Sequence, residues 1–289
     1  MAEMRTLLDG PDPVIAPGCY DALSALLIER AGFPAAYFSG ASLAYTRFGR
    51  PDIGLVSMKE VADSVSAIRE RLDLPLIVDC DTGFGNALNV QRTVRLMERS
   101  GASAIQLEDQ LMPKRCGHLA DKRVVSGGEM VGKIKAALDA RASDHTLVIA
   151  RTDAIAVEGF EAALDRAESY HQAGADVIFV EAPRSEAELV GIAERFRTRS
   201  ALMANMVEGG STPIKDWRDL GGLGFSLIIY PGGAVRTLVH ALQSFFASLK
   251  AQGTTDACRD RMLDFAALNA VLGTQEMLEI GRSYEFGET

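Results

Sequence analysis

Residues 76–109, LIVDCDTGFGNALNVQRTVRLMERSGASAIQLED, form one complete β-α-β pattern. Leu76–Val78 and Ala104–Leu107 are short apolar runs typical of buried strands, and apolar residues recur with a helical period of 3.6 over Ala87–Arg99. Gly101 follows the helical stretch and can supply the positive φ with which many helices end. Apolar strands joined through a helix indicate parallel pairing, with both faces of the sheet covered.

The same alternation continues along most of the chain. The other apolar runs are Val14–Ala16, Ala35–Phe38, Leu147–Ala150, Val177–Val180, Ala201–Ala204 and Phe225–Ile229, and the other helical stretches include Val61–Arg71, Glu129–Arg141, Phe160–Ala173 and Glu186–Arg197. Eight β-α units predict an α/β fold of the (β/α)8 TIM-barrel type, with a doubly wound sheet as the alternative. We assign residues 1–250 to a barrel catalytic domain, and residues 251–289 to a tail of extra helices that belongs to the same domain.

Composition and charge narrow the class of protein. The 289 residues are 47% hydrophobic, which is enough for a sizeable core, and 30 Lys and Arg against 39 Asp and Glu give a net charge of −9. This acidic balance argues against a nucleic-acid or anionic-membrane partner. The longest uncharged stretch is interrupted by glycines and is too short for a membrane helix, and early charges leave no room for a signal peptide. We therefore expect a cytoplasmic protein.

A barrel of this type carries its active site at the carboxyl ends of its strands. Polar or ionisable residues follow nearly every predicted strand there: Cys19, Ser39, Asp79, Asp81, Glu108, Arg151, Asp153, Glu181, Asn205 and Tyr230. Any one of them could merely cap a helix. Charged groups at the ends of buried strands are costly unless they are paired or bind a metal, so their convergence predicts an active site.

Asp79 and Asp81 are two residues apart, which places both carboxylates on one side of an extended chain. Together with Glu108 from the next strand they form an all-oxygen set, which favours Mg²⁺ or Mn²⁺. The four cysteines show no C-x-x-C spacing, so neither a zinc site nor a disulfide framework is indicated. The glycine-rich turn after Asp81 does not match a dinucleotide-binding motif.

The connection from Glu108 to Ser126 is long for a β-α loop and is a candidate lid. It contains Lys114-Arg115-Cys116-Gly117-His118, where neighbouring cations are expected to lower the pKa of the Cys116 thiol and favour thiolate. Arg151 and Arg236 could clamp a carboxylate. A divalent metal that polarises an oxy-acid, an arginine clamp and an acid/base thiol predict retro-aldol carbon–carbon cleavage.

These residues resemble the isocitrate lyase/phosphoenolpyruvate mutase superfamily, and within it the branch of 2-methylisocitrate lyases, dimethylmalate lyases and petal death proteins. The most specific stretches are Ile105–Gln110 and Lys114–His118, the lyase form of a gating-loop signature, which argues against phosphonate chemistry. The resemblance implies Mg²⁺ at Asp79 and Asp81 with Glu108 in its shell. It implies catalytic roles for Cys116, Lys114, His118 and Glu108. It implies substrate contacts at Tyr37, Ser39, Gly40, Ala41, Asp52, Gly117, Arg151, Glu181, Asn205 and Arg236.

The resemblance also implies a substrate class. Phe265 falls near a position where methylisocitrate lyases carry an arginine, although Arg261 lies one helical turn away. A third substrate carboxylate would then lack a cation, so we expect a 2-hydroxydicarboxylate, such as a substituted malate, to be cleaved through a metal-stabilised enolate to pyruvate and a carboxylic acid. Oxaloacetate hydrolysis or decarboxylation is the alternative reaction. A catalytically silent dicarboxylate-binding protein is the alternative of another class.

The resemblance implies that the C-terminal tail holds a helix that members of the superfamily exchange with a neighbouring subunit, commonly in a tetramer. Its apolar residues are more numerous than a solvated tail would allow: Met262, Leu263, Phe265, Ala266 and Leu268. We therefore expect a homotetramer made of two helix-swapped dimers.

Overall fold

The computed structural model describes residues 3–119, 121–213 and 215–285, and within these ranges eight parallel strands form a closed barrel in chain order. The strands are β1 (Val14–Cys19), β2 (Ala36–Phe38), β3 (Leu76–Asp79), β4 (Ala104–Glu108), β5 (Leu147–Thr152), β6 (Val177–Val180), β7 (Ala201–Asn205) and β8 (Leu227–Tyr230). β1 pairs in parallel with β8, with Val14 opposite Leu227. The predicted (β/α)8 barrel is confirmed, and the doubly wound sheet is wrong because that sheet has two open edges.

Several strands continue past the apolar runs that predict them. β5 extends through Arg151 to Thr152, and Arg151 lies in register with Glu108 at the end of β4. Strand pairing depends on backbone hydrogen bonds, so a polar side chain does not end a strand where the ladder continues. As a result several candidate site residues lie on the strands themselves, where the backbone is rigid.

Helices surround the barrel: α1 (Met4–Leu8), α2 (Ala22–Arg30), α3 (Gly40–Phe48), α4 (Met58–Arg69), α5 (Ala87–Ser100), α6 (Gly127–Ala140), α7 (Ile155–Glu158), α8 (Phe160–Gln172), α9 (Glu186–Phe196) and α10 (Trp217–Leu223). The helical stretches given above are confirmed. In α5, Val90, Val94 and Met97 are spaced along one face and are fully buried. Asn86 begins α5 by accepting hydrogen bonds from its first turn, and Gly101 ends it with φ of 99°.

Two apolar layers hold the barrel together. One lies between the outward faces of the strands and the helices, and includes Phe38, Val78 and Ile105. The other fills the interior, where Ile77, Ile149 and Leu227 meet Met4 of α1. Because the interior is packed, only the carboxyl end of the barrel remains for polar side chains.

The chain divides into two compact units between Val235 and Arg236. The second unit contains most of α11 (Gly233–Gln252), a 3-10 helix (Asp256–Arg261), α12 (Phe265–Leu272) and α13 (Thr274–Ser283). Large apolar side chains are exposed on it, and Phe265 is 86% exposed. The domain boundary at residue 250 stays a prediction. No helix among the described residues is long and apolar enough to cross a membrane.

Candidate active site

Two aspartates at the end of β3 form one side of the barrel mouth. Both are buried, and the backbone N–H of Asp81 donates to Oδ1 of Asp79 at 3.2 Å. Asp81 has a φ of 48°, an unusual conformation for a non-glycine residue that often marks a functional site. Gln106 also donates to Oδ1 of Asp79, at 3.2 Å, and accepts a hydrogen bond from the hydroxyl of Tyr37 at 3.0 Å. The orientation of Asp79 is therefore fixed from β2 and β4 as well as from its own strand.

The turn after β2 lies beside these aspartates. Ser39 begins α3 by accepting a hydrogen bond from the backbone of Ser42, and a β-carbon at Gly40 would lie 3.2 Å from Oδ2 of Asp79. The structure thus brings the predicted Ser39-Gly40-Ala41 turn to the predicted metal-site carboxylates.

Lys114, in the connection from Glu108 to Ser126, forms ion pairs with carboxylates of the site. Its Nζ lies 2.5 Å from Oδ1 of Asp52 and 2.6 Å from Oδ1 of Asp81, and only 3% of its side chain is exposed. Burial lowers the pKa of Lys114, but the charges of Asp81 and Asp52 outweigh burial and raise it well above its usual value. Lys114 is therefore a permanent positive charge in the site rather than a proton donor.

The site contains more buried carboxylate groups than the charges of Lys114 and Arg151 neutralise. Burial, together with the charges of Asp79 and Asp52, raises the pKa of Asp81 to about 7 despite Lys114. Burial also raises the pKa of Glu108 well above its usual value, although Arg151 opposes this shift. Oε1 of Glu108 is buried without a hydrogen-bond partner among the described residues. Unneutralised buried oxygens of this kind fit a bound cation.

The predicted ligands do not form a closed metal cage. Among the residues that the structure describes, no three His, Cys, Asp or Glu side chains are arranged to hold a metal directly. Mg²⁺ keeps several waters and is commonly bound through one or two carboxylates together with the substrate. The residues present fit a metal held in that manner, and Asp79, Asp81 and Glu108 as direct ligands stay a prediction.

Arg151, on β5, lies among three carboxylates at the mouth of the barrel. Its Nε is 2.8 Å from Oδ2 of Asp153 and 3.3 Å from Oε2 of Glu108, and its Nη2 is 3.6 Å from Oε1 of Glu181. Asn205 at the end of β7 donates to both carboxylate oxygens of Glu181, at 3.1 and 3.2 Å. The predicted residues Arg151, Glu181 and Asn205 are therefore brought together.

Gly117 and His118 are packed onto this group. A β-carbon at residue 117 would overlap Oε1 of Glu181 and Nη2 of Arg151, so only glycine fits there. Nδ1 of His118 accepts a hydrogen bond from the backbone N–H of Ser211 at 3.1 Å, and its Nε2 lies 3.4 Å from Oε1 of Glu181. Burial lowers the pKa of His118. In the neutral ring the proton is consequently on Nε2, which makes no hydrogen bond to the described residues.

The expected thiolate at Cys116 is wrong. Burial raises the pKa of the Cys116 thiol, and the charges of Asp52 and Glu181 raise it further. The neighbouring cations do not compensate, because Lys114 is engaged by two aspartates and Arg115 forms an exposed ion pair with Asp121 at 3.3 Å. Cys116 therefore carries its proton at neutral pH and is suited to donate it.

One candidate residue belongs to the second unit, and two residues of the site had no clear signal in the sequence. Arg236 lies on α11 in the second unit and is exposed, so its role in the site stays a prediction. Gln106 was missed, although a polar residue inside an apolar strand, on the same face as Glu108, is a usable signal. Lys122 was also missed, because a lysine in a polar loop resembles a solvated one. It is buried, and its Nζ is 2.8 Å from Oδ1 of Asp153.

Comparisons with known proteins agree with this geometry. Residues 4–250 match the family described as phosphoenolpyruvate phosphomutase. The chain is 43% identical over 286 residues to 2,3-dimethylmalate lyase of Eubacterium barkeri, and the alignment covers 99% of this chain and 98% of the relative. It is 44% identical over 259 residues to 2-methylisocitrate lyase of Aeropyrum pernix, which covers 90% of this chain and 82% of the relative.

Solved structures show the same fold. A crystal structure of 2,3-dimethylmalate lyase superposes with a TM-score of 0.92 at 33% identity, covering 98% of this chain and 94% of that one. Oxaloacetate acetylhydrolase in complex with 3,3-difluorooxalacetate superposes with a TM-score of 0.92 at 31% identity, covering 97% of this chain and 95% of that one. Phosphonopyruvate hydrolase with oxalate and Mg²⁺ gives 0.88 at 31% identity, covering 98% of both chains.

Proposed function

The chain belongs to the phosphoenolpyruvate mutase/isocitrate lyase superfamily, and on this basis we propose that it is a carbon–carbon lyase that cleaves a 2-hydroxydicarboxylate to pyruvate and a carboxylic acid. The observation that carries the proposal is the placement of Lys114–His118. In this segment Lys114 pairs with Asp81, Gly117 packs against Glu181 and Arg151, and the charges of Asp52, Glu181 and Arg151 act on the protonated thiol of Cys116. The similarity to 2,3-dimethylmalate lyase and 2-methylisocitrate lyase supports the same reaction class.

Retro-aldol cleavage needs a base for the substrate hydroxyl and an acid for the departing carbon. Glu108 has a buried oxygen without a partner among the described residues, and the raised pKa of its carboxyl makes it a stronger base when ionised. The bonding electrons leave with the carbon that becomes the second acid, and the Cys116 thiol supplies its proton. Arg151, which stays charged, binds a substrate carboxylate and orients the bond that breaks.

We propose Mg²⁺ as the cofactor, with Mn²⁺ as a substitute, held at Asp79, Asp81 and Glu108 largely through water and substrate. When bound, the ion supplies positive charge to the oxy-acid oxygen on which negative charge develops. The excess of buried carboxylate and the Mg²⁺ and oxalate of the phosphonopyruvate hydrolase structure support this assignment. Lys114 pairs with Oδ1 of Asp52 and Oδ1 of Asp81, and no ion pair is formed between Lys114 and Asp79 or Glu108 among the described contacts.

The substrate is proposed to be a substituted malate such as 2,3-dimethylmalate, or else 2-methylisocitrate. A lactate dehydrogenase-coupled assay for pyruvate with both compounds and Mg²⁺ tests the proposal. Pyruvate from 2,3-dimethylmalate supports it fully, and turnover of 2-methylisocitrate alone would refute the preference for a dicarboxylate. The absence of pyruvate from either compound would refute the lyase activity for these substrates.

Oxaloacetate hydrolysis or decarboxylation is the second candidate, favoured by the TM-score of 0.92 with oxaloacetate acetylhydrolase. The products separate the two reactions of oxaloacetate: hydrolysis releases oxalate and acetate, whereas decarboxylation releases pyruvate and CO₂. Quantifying oxalate after incubation with oxaloacetate decides whether this activity is present.

We also propose a homotetramer, since the exposed apolar side chains of the second unit are numerous for a surface in contact with water. Sedimentation velocity at micromolar concentration tests it, and a monomer there would refute it. A cytoplasmic location stays a prediction.

A further inference from the structure

Lys122 is a buried lysine in the connection that carries Cys116. Only 1% of its side chain is exposed, and its Nζ lies 2.8 Å from Oδ1 of Asp153. The same Nζ donates a hydrogen bond to the backbone carbonyl oxygen of Gly117. Burying an ammonium group is costly unless its charge is paired and its donors are used. Lys122 meets both conditions, because its charge is paired with Asp153 after β5 and it donates to Gly117 in the segment that contains Cys116.

Asp153 is a fixed anchor for this lysine. It accepts from Arg151 through both oxygens, at 2.8 and 3.0 Å, and its own backbone N–H donates to Oδ1 of Asp109 at 2.9 Å. Asp109 is fully buried and is held in turn by the hydroxyl of Tyr170 at 2.8 Å. Burial disfavours ionised Asp153, but the charges of Arg151 and Lys122 outweigh it and lower its pKa. Asp153 therefore stays ionised and holds two cations at once.

Gly117 is the residue of the segment that packs directly against Glu181 and Arg151. It lies between Cys116 and His118, and it fits against Glu181 and Arg151 only because it has no side chain. It consequently has no side-chain contact of its own to keep it there. Apart from the packing of its neighbours, its carbonyl is the group that can be held.

We propose that Lys122 is a positioning residue that keeps the Cys116–His118 segment in the active site by tying the carbonyl of Gly117 to Asp153. Because Asp153 also holds Arg151, one carboxylate sets the distance between the thiol and the arginine that binds the substrate. Lys122 does not touch the substrate. Its effect on turnover rests on the function proposed above, whereas its effect on the position of Cys116 does not.

The test compares the wild type with Lys122→Met, Lys122→Arg and, as a control, Lys59→Met. Methionine keeps most of the length of the lysine stem but has neither charge nor donor, while arginine keeps both. Lys59 pairs with Asp63 on the surface and is 80% exposed. The first readout is the rate at which iodoacetamide alkylates Cys116, followed by peptide mass spectrometry at fixed pH without substrate. The buried thiols of Cys19, Cys80 and Cys258 report any global unfolding.

We expect Lys122→Met to raise the alkylation rate of Cys116 by about 10-fold, because thiol reactivity follows exposure and thiolate fraction. We expect its kcat/KM to fall by about 100-fold, mainly through kcat, because misplacing a catalytic group by 1 Å costs this much. In Lys122→Arg, the alkylation rate of Cys116 and kcat/KM should both lie between those of Lys122→Met and the wild type. Lys59→Met should match the wild type in both.

An unchanged Cys116 alkylation rate in folded Lys122→Met would overturn the proposal, whether or not a substrate has been found. Faster alkylation with intact protection of the other three cysteines supports it. Should Lys122→Met not fold, Lys122→Gln, which has a shorter side chain and no charge, takes its place: faster alkylation of Cys116 at a wild-type melting temperature supports the tie, and a wild-type alkylation rate overturns it.

Discussion

The ammonium nitrogen of Lys114 lies 2.6 Å from Oδ1 of Asp81, in a place where the lysine side chain is 3% exposed. Removing one partner of a buried ion pair leaves the other charge unpaired and desolvated. Lys114→Met should therefore lower the free energy of unfolding by about 3–5 kcal/mol, measured by urea denaturation followed by circular dichroism. Lys59→Met, which breaks an exposed pair, should leave it nearly unchanged. Equal effects of the two substitutions would contradict the burial of Lys114.

Gly117→Ala places a methyl group where Glu181 and Arg151 already lie. The segment then cannot reach its position, so kcat/KM should fall by at least about 100-fold. Circular dichroism and thermal melting should show a folded protein, because the segment can move outward. Gly132→Ala is the matched control, since a β-carbon in that part of α6 meets no other atom within 4 Å. Retained activity in Gly117→Ala would mean that the segment works in another position.

Cys116→Ala removes the proton donor of the proposed cleavage. A lyase that depends on this proton should lose about 10²–10⁴-fold in kcat, the usual contribution of general acid catalysis. Decarboxylation of oxaloacetate needs no such thiol and should be little affected. Measuring both reactions on the same preparation separates the two activities, with Cys258→Ala as a control for loss of a cysteine elsewhere. Equal lyase rates in Cys116→Ala and the wild type would remove Cys116 from the mechanism.

The raised pKa of Cys116 gives a pH dependence. A raised pKa means less thiolate at any given pH, so alkylation of Cys116 at pH 8 should be slower than that of a free cysteine, whose pKa is about 8.5. The rate should continue to increase above pH 9. Iodoacetamide modification from pH 6 to 10 measures it. A plateau below pH 8 would instead indicate the thiolate that the sequence suggested.

Removal of divalent metal should abolish turnover. After dialysis against EDTA the pyruvate assay should show no activity, and Mg²⁺ or Mn²⁺ should restore it. Mg²⁺ with oxalate should also raise the melting temperature, since a ligand at 100 times its Kd stabilises the native state by about 2.7 kcal/mol. Asp79→Asn should weaken this shift. Full activity in EDTA would exclude a dissociable divalent metal from the reaction.

The sequence predicts the barrel well because its signal is local. Each strand is a run of a few apolar residues with a polar residue at its end, so the topology alone places Asp79, Arg151, Glu181 and Asn205 at one mouth. Strand ends are less exact. β5 continues to Thr152 because backbone pairing tolerates polar side chains.

The electrostatics of the site could not be predicted in the same way. The pKa of Cys116 depends in part on where Lys114 directs its charge, and this is decided by Asp52 and Asp81, which lie far from Lys114 in the sequence. Lys122 lies in a loop and Asp153 directly follows a strand, and no periodic pattern in the sequence indicates that the two side chains meet. The tertiary structure decides which cation pairs with which carboxylate. The composition of the chain does not contain this information.

The closure of the barrel between β1 and β8 also limits how copies of this chain can associate. Each of the eight strands in the described ranges has a hydrogen-bonded neighbour on both sides. An open sheet leaves unpaired N–H and C=O groups along its outer strands, and these groups invite a strand from another molecule. This barrel offers no such border while it remains folded. Contacts between copies must be made by helices and loops, so assembly is selected by side-chain shape and cannot grow strand by strand into a fibre.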